Sequence, residues 1–412
     1  MPRSLYSKKG FFILTRRYYA GGDPAQALSI EELRRMARRR LPAFVFEYLE
    51  GGAEDEVTLR RNREVFDQLA FVPRTLQRVC VVDTSVQLLG GRSALPLAIA
   101  PTGFNGLMAR DGDAALARAA AAAGVPFIQS TVSNATLETV SKVAGLRHWM
   151  QLYVFRSREF MERLVGRALE AGCEALVLTS DGSVFGNREW DKRSYRGDMR
   201  LTWRKKLEVL GHPHWMAQVL ARGIPTFGNL AELLPPEQRR LAAAAKWSRE
   251  EIDADLDWDR LTWLRALWPR KLLLKGVLDV EDAGRALQAG VDGVVLTNHG
   301  GRQLDGAIAP LTALPAIAGR YRDQMDIFVD SGYRRGSDVV KALALGAHGV
   351  LLGRATLYGL GAAGEAGAAR ALAIMAGEIR RAMALLGRPA IGQLDRSCLL
   401  GEPVLPASAR GG

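Results

Sequence analysis

Histidine is scarce in this chain, five in 412 residues, and cysteine is scarcer still, with three. Cys80, Cys173 and Cys398 lie far apart with no CxxC pairing, which points away from a zinc site or a disulfide framework and fits a reducing, cytoplasmic compartment. No metal is expected. Long apolar runs are missing too. The basic stretch KKGFFILTRRYYAGG holds only FFIL, too short for a signal-peptide core and far too short to span a bilayer. Nor does a GxGxxG follow the first strand-like run, so the dinucleotide fingerprint of a doubly wound sheet is absent. Acidic residues are outnumbered, 44 against 56 Lys and Arg, which leaves a net charge of +12. Such a surface attracts nucleic acid, anionic lipid and small acids alike, but no nucleic-acid reading motif or aromatic stacking platform accompanies it.

What is present is a repeat of short apolar runs and amphipathic stretches. The strand candidates are Pro96–Pro101, Gly124–Ser130, His148–Val154, Ala175–Asp181, Lys271–Gly276, Gly293–His299, Asp326–Gly332 and Gly349–Ala355. Helix-like runs such as GDAALARAAAAAG, EFMERLVGRALEAG, DVEDAGRALQAG and GSDVVKALALG separate them, several closing on glycine. Eight β/α units predict an α/β fold, a (β/α)8 TIM barrel. We divide the chain into a tail over 1–28, the barrel over 29–392 with an extended loop at 182–269 after strand four, and a peripheral or oligomer-contacting tail over 393–412. The helical run SIEELRRMARRRLPAFVFEYLEGG is an N-terminal extension expected to close the lower or side face of the barrel and to deliver Tyr48.

Barrel enzymes work at the C-terminal ends of their strands, and polar residues gather there: APTG, QS, QLY, TSD, LKG, TNHGGR, VDSG and GR in strand order. The glycines after strands seven and eight, with Arg334 and Arg354, predict a phosphate site. His299, at the end of strand six with Arg302 beside it, is the expected form of a base next to an anion clamp. Asp181 could orient the imidazole. Arg188 adds a second guanidinium, and two arginines aimed at one pocket suit a carboxylate.

TNHGGRQLDG, with APTG, QLY, LKG and DSGYRRGSDVVKALALGA, resembles the FMN-dependent α-hydroxy-acid oxidase and dehydrogenase family, from about Ile30 to about Leu386 and with the motifs in family order. The resemblance makes His299 the active-site base and Asp181 its partner. Arg188, Arg302 and Tyr48 would bind the substrate carboxylate and Tyr153 the substrate oxygen. Lys275 would lie beside the flavin N1 and C2 carbonyl. Pro101, Thr102, Ser130, Gln151, Thr179 and Thr297 would line the flavin ring and ribityl chain, with Gly103 close by, while Asp330, Gly332, Arg334, Gly353 and Arg354 would take ribityl and phosphate contacts. The implied reaction turns a 2-hydroxy acid into a 2-oxo acid with electrons passing to FMN. The resemblance also implies a homo-oligomer, commonly a tetramer.

Within the family, the stretch from Ala100 to Tyr153 and the ending SGYRRGSDVVKALALGAHGVLLGRATLYGL are most similar to the (S)-mandelate dehydrogenase branch. Val132 stands where the glycolate oxidase branch tends to carry a bulky aromatic, which leaves room for an aryl or other bulky side chain. L-Lactate or glycolate is the alternative substrate, and a flavin-dependent isomerase the rival from another class. TSDGSVFGNRE is an unusual strand-four loop, in which Phe185 could reshape the pocket. Gly103 stands where oxidases commonly have alanine, so a quinone or other carrier, not oxygen, is the expected acceptor. The 182–269 loop holds most of the eight tryptophans. Its mix of basic and aromatic residues suits either a membrane interface, placing the protein peripherally on the inner face of the cytoplasmic membrane, or a lid over the site.

Overall fold

The computed structural model describes residues 17–404 apart from 197–199, 222 and 232. Each strand-like run becomes a strand: β1 (Leu97–Ile99), β2 (Phe127–Gln129), β3 (His148–Leu152), β4 (Ala175–Thr179), β5 (Lys271–Val277), β6 (Gly293–Leu296), β7 (Asp326–Val329) and β8 (Gly349–Leu352). They pair in parallel, and β8 returns to β1 to close the barrel. Helices cover the outer surface and side chains fill the inside, so the strands are buried on both faces and carry nearly unbroken apolar runs.

Successive residues of a strand point to opposite faces, so the closed register stacks inward side chains in layers. Ala98, Ile128, Trp149, Val177, Leu273, Val295, Phe328 and Leu351, one from each strand, form an apolar cluster in the barrel. Within it Trp149 meets Phe328 edge-to-face at 5.7 Å. Two residues onward along the same strands come Ala100, Ser130, Gln151, Thr179, Lys275, Thr297, Asp330 and Gly353. That layer, with Thr297 set just behind it, is the floor of the mouth.

The outer helices follow their sequence signals. Asp279 caps Val280–Gln288 and Ser157 caps Arg158–Glu170, each through a side-chain oxygen accepting an early backbone N–H. Gly124 ends Gly112–Ala123 in the left-handed region that glycine adopts without strain. After β8 the chain runs through Arg354–Leu386, broken at Ala363 and Gly364, whose backbone angles are not helical.

The N-terminal extension follows the expectation at the side face and in delivering Tyr48, and departs from it in covering the mouth. Ile30–Arg40 packs along Arg354–Leu386 at the side, but Ala43–Glu50 crosses the mouth and lines the cavity with Phe44, Val45, Tyr48 and Leu49. Ring contacts hold it there: Phe44 meets Trp215 at 5.8 Å and Tyr48 meets Phe104 at 5.2 Å. Cations hold it as well, since Arg302 and Arg354 donate to the carbonyls of Tyr48, Leu49 and Gly51 at its C-terminal end.

The 182–269 stretch is not an open loop. It folds into short helices, among them Trp203–Leu210, Leu241–Glu251 and Trp258–Leu267. Trp215 and Trp268 are buried, whereas Trp190 and Trp203 are exposed. No helix among the described residues is long and apolar enough to cross a membrane. The segment after Gly392 is docked in its described part: Leu399 and Leu400 pair antiparallel with Phe71 and Ala70, and Cys398 is buried.

Candidate active site

The mouth encloses a cavity of about 510 Å³, within the usual range for a cofactor or ligand site. On one side stands His299. Its backbone takes φ 58°, a left-handed conformation uncommon for a side-chain-bearing residue, and Gly300 and Gly301 follow at φ 67° and 75°. Thr297 Oγ1 accepts from the His299 N–H at 2.9 Å and fixes the turn. Nδ1 and Asp181 Oδ1 lie 3.1 Å apart. With Nδ1 carrying the proton, Nε2 keeps its lone pair.

Electrostatics favour that state. Burial lowers the basicity of His299, Asp181 opposes, Lys275 adds to the lowering, and the net shift is downward, so the imidazole is neutral at pH 7. For Asp181, burial pushes upward, but His299 and Lys275 together outweigh it and hold the carboxyl below its ordinary range. The pair is a neutral base held by a carboxylate.

Opposite it lie two arginines. Arg188 Nε donates to the Arg302 carbonyl at 3.3 Å, and the Arg302 guanidinium stands 4.8 Å from the Tyr48 ring centroid. Burial, and then the like charge of Arg302, lowers Arg188 to about 10. Among the described residues no carboxylate makes an ion pair with either side chain, and Asp191, on the cavity wall, offsets their charge only in part. Two guanidinium groups facing one such carboxylate leave positive charge for an anionic ligand. Burial raises Tyr48 and Tyr153, so both phenols stay protonated and can donate.

The floor is a connected polar layer. Ser130 Oγ donates to Gln151 Oε1 at 3.0 Å, and Gln151 Nε2 donates to Thr179 Oγ1 at 3.0 Å. Lys275 Nζ, almost fully buried, lies 3.4 Å from Thr297 Oγ1 and 3.6 Å from Asp330 Oδ2. Towards β7 and β8, Gly332 has φ 92°, and a Cβ there would collide with the Asn62 carbonyl. Arg334 lies over the Tyr358 ring at 5.2 Å.

The expected site residues converge on this cavity, with two exceptions and one change of role. Asp181 stands behind His299. Thr297, expected against the flavin ring, lies behind the wall because its hydroxyl serves Lys275 and the His299 turn. Arg354 spends its guanidinium on the carbonyls of Leu49, Gly51 and Gly300, which leaves its backbone N–H, at the start of a helix, as the group for an anion. Sequence reasoning missed Phe44, Phe104, Leu107 and Phe227 on the wall, and Ser331, whose Oγ accepts from the Gly300 N–H at 3.0 Å. Phe104 follows APTG directly and was findable. Phe227 comes from the insert and carried no signal.

The residues present fit FMN: a buried lysine beside amide and hydroxyl groups for the ring, and glycines and helix starts for the phosphate. A parallel barrel with a carboxylate-held histidine, a buried arginine pair and such a floor defines a flavin-type oxidoreductase acting on an anionic substrate. Residues 37–400 match the family model described as FMN-dependent dehydrogenase, and the chain belongs to that family. It is 43% identical over 91% of its length to (S)-mandelate dehydrogenase of Pseudomonas putida, covering 94% of that protein. It is 44% identical over 90% of its length to an L-lactate dehydrogenase of Caulobacter sp. (strain K31), covering 98% of it. Among solved structures, one described as the monotopic membrane protein (S)-mandelate dehydrogenase superposes with a TM-score of 0.88 at 42% identity, over 92% of this chain and 100% of that one. A mandelate oxidase gives 0.78 at 36% identity, over 92% and 99%. The protein is an FMN-dependent 2-hydroxy-acid dehydrogenase.

Proposed function

We propose that the protein oxidises an (S)-2-hydroxy acid with a bulky, aryl-type side chain, such as (S)-mandelate, and passes the electrons to a quinone or another carrier. The observation that carries this reading is the aromatic wall beside the anion clamp. Tyr48, Phe104 and Phe227 form a chain of edge-to-face contacts at 5.2 and 4.9 Å along the cavity, an arrangement into which another ring packs favourably. Val132, which also lines the cavity, is small enough to leave that space open.

In this reading Arg188 and Arg302 grip the carboxylate and Tyr48 donates to it, while Tyr153 donates to the oxygen at C2. His299 Nε2 takes a proton from the substrate as it is oxidised. Asp181 holds the imidazole in the required tautomer and stabilises the imidazolium that results. Lys275 and the other floor residues would hold the ring of FMN, and Gly332, Arg334, Gly353 and Arg354 its phosphate; FMN would supply the two-electron acceptor. Pinning the acid at both ends brings the reacting centre to the floor, which raises effective concentration without a strong chemical driving force.

The insert supports a peripheral membrane location. Its inner side closes the cavity with Phe227, Ala245 and Ser248, so it is also a roof. On its outer side Trp203, Leu207 and Leu210 are exposed on one helix face, among the exposed Arg204 and Lys206, and Ile224 is exposed further along the insert. Apolar and basic side chains together suit an anionic lipid surface, where a quinone would be at hand.

The test is anaerobic. (S)-Mandelate should bleach the flavin absorbance rapidly, and L-lactate and glycolate should do so slowly. Faster bleaching by lactate would keep the chemistry and overturn the aryl pocket; a protein that cannot be loaded with FMN would overturn both.

A further inference from the structure

Three stretches far apart in sequence meet beside the substrate end of the cavity: 102–106 after β1, 130–135 after β2, and 226–229 in the insert. Their junction is Asp113, in the first turn of Gly112–Ala123 and 1% exposed. Its Oδ2 accepts from the backbone N–H groups of Asn134 at 2.8 Å and Ala135 at 3.0 Å, and its Oδ1 accepts from Asn105 Nδ2 at 2.7 Å. Asn105 in turn accepts from Thr102 Oγ1 at 2.9 Å and donates to the Thr102 carbonyl at 3.0 Å. Asn134 extends the network, accepting from the Gly106 N–H at 2.8 Å and donating to the Thr226 carbonyl at 2.9 Å. Asn229 donates to the Ser130 carbonyl at 3.1 Å.

The two turns so joined carry Gly103 and Val132, and they already touch. A Cβ on Gly103 would lie 2.7 Å from Val132 Cγ2. The space for a substrate side chain is therefore set by the separation of these turns. Asp113 does not line the cavity, and a buried carboxylate is costly unless donors satisfy it. Here three donors converge on one acceptor-only group.

We propose that Asp113 is a specificity-positioning residue, which locks the Gly103 turn, the Val132 turn and the insert at the spacing that admits a bulky 2-hydroxy acid. The inference rests on the proposed reading of the cavity. Asp113→Asn turns an NH2 toward at least one of the three donors. Asn134→Ala leaves Asp113 in place and cuts the links to Gly106 and Thr226.

In the FMN-loaded protein, both variants should raise KM for (S)-mandelate on the order of tenfold with little change in kcat. Constants for L-lactate should move less. The amides of Gly106, Asn134, Ala135 and Gly228 should exchange faster with solvent, while the acid limb governed by His299 stays in place. Equal losses for both acids, or an unchanged ratio of kcat/KM in folded variants, would overturn the proposal, as would unchanged amide exchange in Asp113→Asn. Should that variant fail to fold, Asn134→Ala decides alone. A wild type reduced by neither acid sinks the functional reading instead, and amide exchange then settles whether Asp113 holds the turns.

Discussion

The two inward layers of the barrel sit two residues apart on the same strands and follow opposite rules. In the lower one Trp149, Val177, Leu273, Val295 and Phe328 pack as one apolar cluster, the single polar group among their side chains, the Trp149 indole N–H, donating to Glu174 at 3.2 Å. In the upper one Gln151, Thr179, Lys275, Thr297 and Asp330 are as deeply buried, yet each is polar and most are joined by hydrogen bonds. Two residues is one period of a strand, so the same backbone presents an apolar plug at one level and a cofactor floor at the next. Stability is concentrated in the first layer and chemistry in the second. That separation predicts that substitutions in the two layers fail in different assays.

The largest effect belongs to the upper side. His299→Ala should slow anaerobic flavin reduction by between about 10² and 10⁴-fold, the usual contribution of a general base. Its denaturation midpoint should scarcely move, because the side chain faces the cavity and not the core, and alanine keeps the same left-handed backbone. Asp181→Asn should lose less than His299→Ala, since the base survives without its tautomer lock. A large fall in stability for His299→Ala would break the comparison.

The counterpart is Trp149→Ala. Removing a fully buried indole that packs edge-to-face on Phe328 should cost about 3–5 kcal/mol of unfolding free energy, read from urea titration. The folded, FMN-loaded fraction should keep its kcat, because no atom of Trp149 lines the cavity. Loss of kcat at full flavin content would show that the plug also sets the geometry of the floor.

This layering explains what could be read in the chain. The strands were legible because burial on both faces demands unbroken apolar runs, and the mouth because each run ends in a polar residue on the same side. His299, Arg188, Arg302 and Lys275 all followed from that. Contacts made across distant stretches were not legible. Nothing local says that the Arg354 side chain will serve the carbonyls of Leu49 and Gly51, or that Ala43–Glu50 will cross the mouth. Phe227 reaches the cavity from an insert of short helices, where hydrophobic periodicity has too few turns to be read.

A finer form of the comparison uses two histidines at opposite ends of the barrel, His148 buried and His299 half-buried. His148, at the start of β3, lies 2.9 Å from Gln129 and 3.6 Å from Cys173 Sγ, and burial pushes its pKa from the ordinary 6.5 down to about 4. Among the described residues it has no carboxylate partner, and it lies away from the cavity, so its effect is on folding. The unfolded chain takes up this proton as pH falls below 6.5, while the native state refuses it until about pH 4. Stability from His148 is therefore full above 6.5, lost through that window, and constant below it, a total of about 3 kcal/mol. Asp113 pulls the other way in an overlapping window. Burial, against hydrogen bonds from Ala135, Asn105 and Asn134, raises it from 3.8 to about 6, so it stabilises the fold as pH falls. The wild-type curve alone would hide both, and the test is the difference between wild type and His148→Gln, which should widen in favour of the variant as pH drops from 6.5 to 4. His299 titrates below 6.5 as well, so its proton should appear in kcat/KM, and by the same linkage in the unfolding curves of both proteins, where it cancels in their difference. An acid limb in kcat/KM that moves with His148→Gln would mean that the two ends of the barrel are coupled.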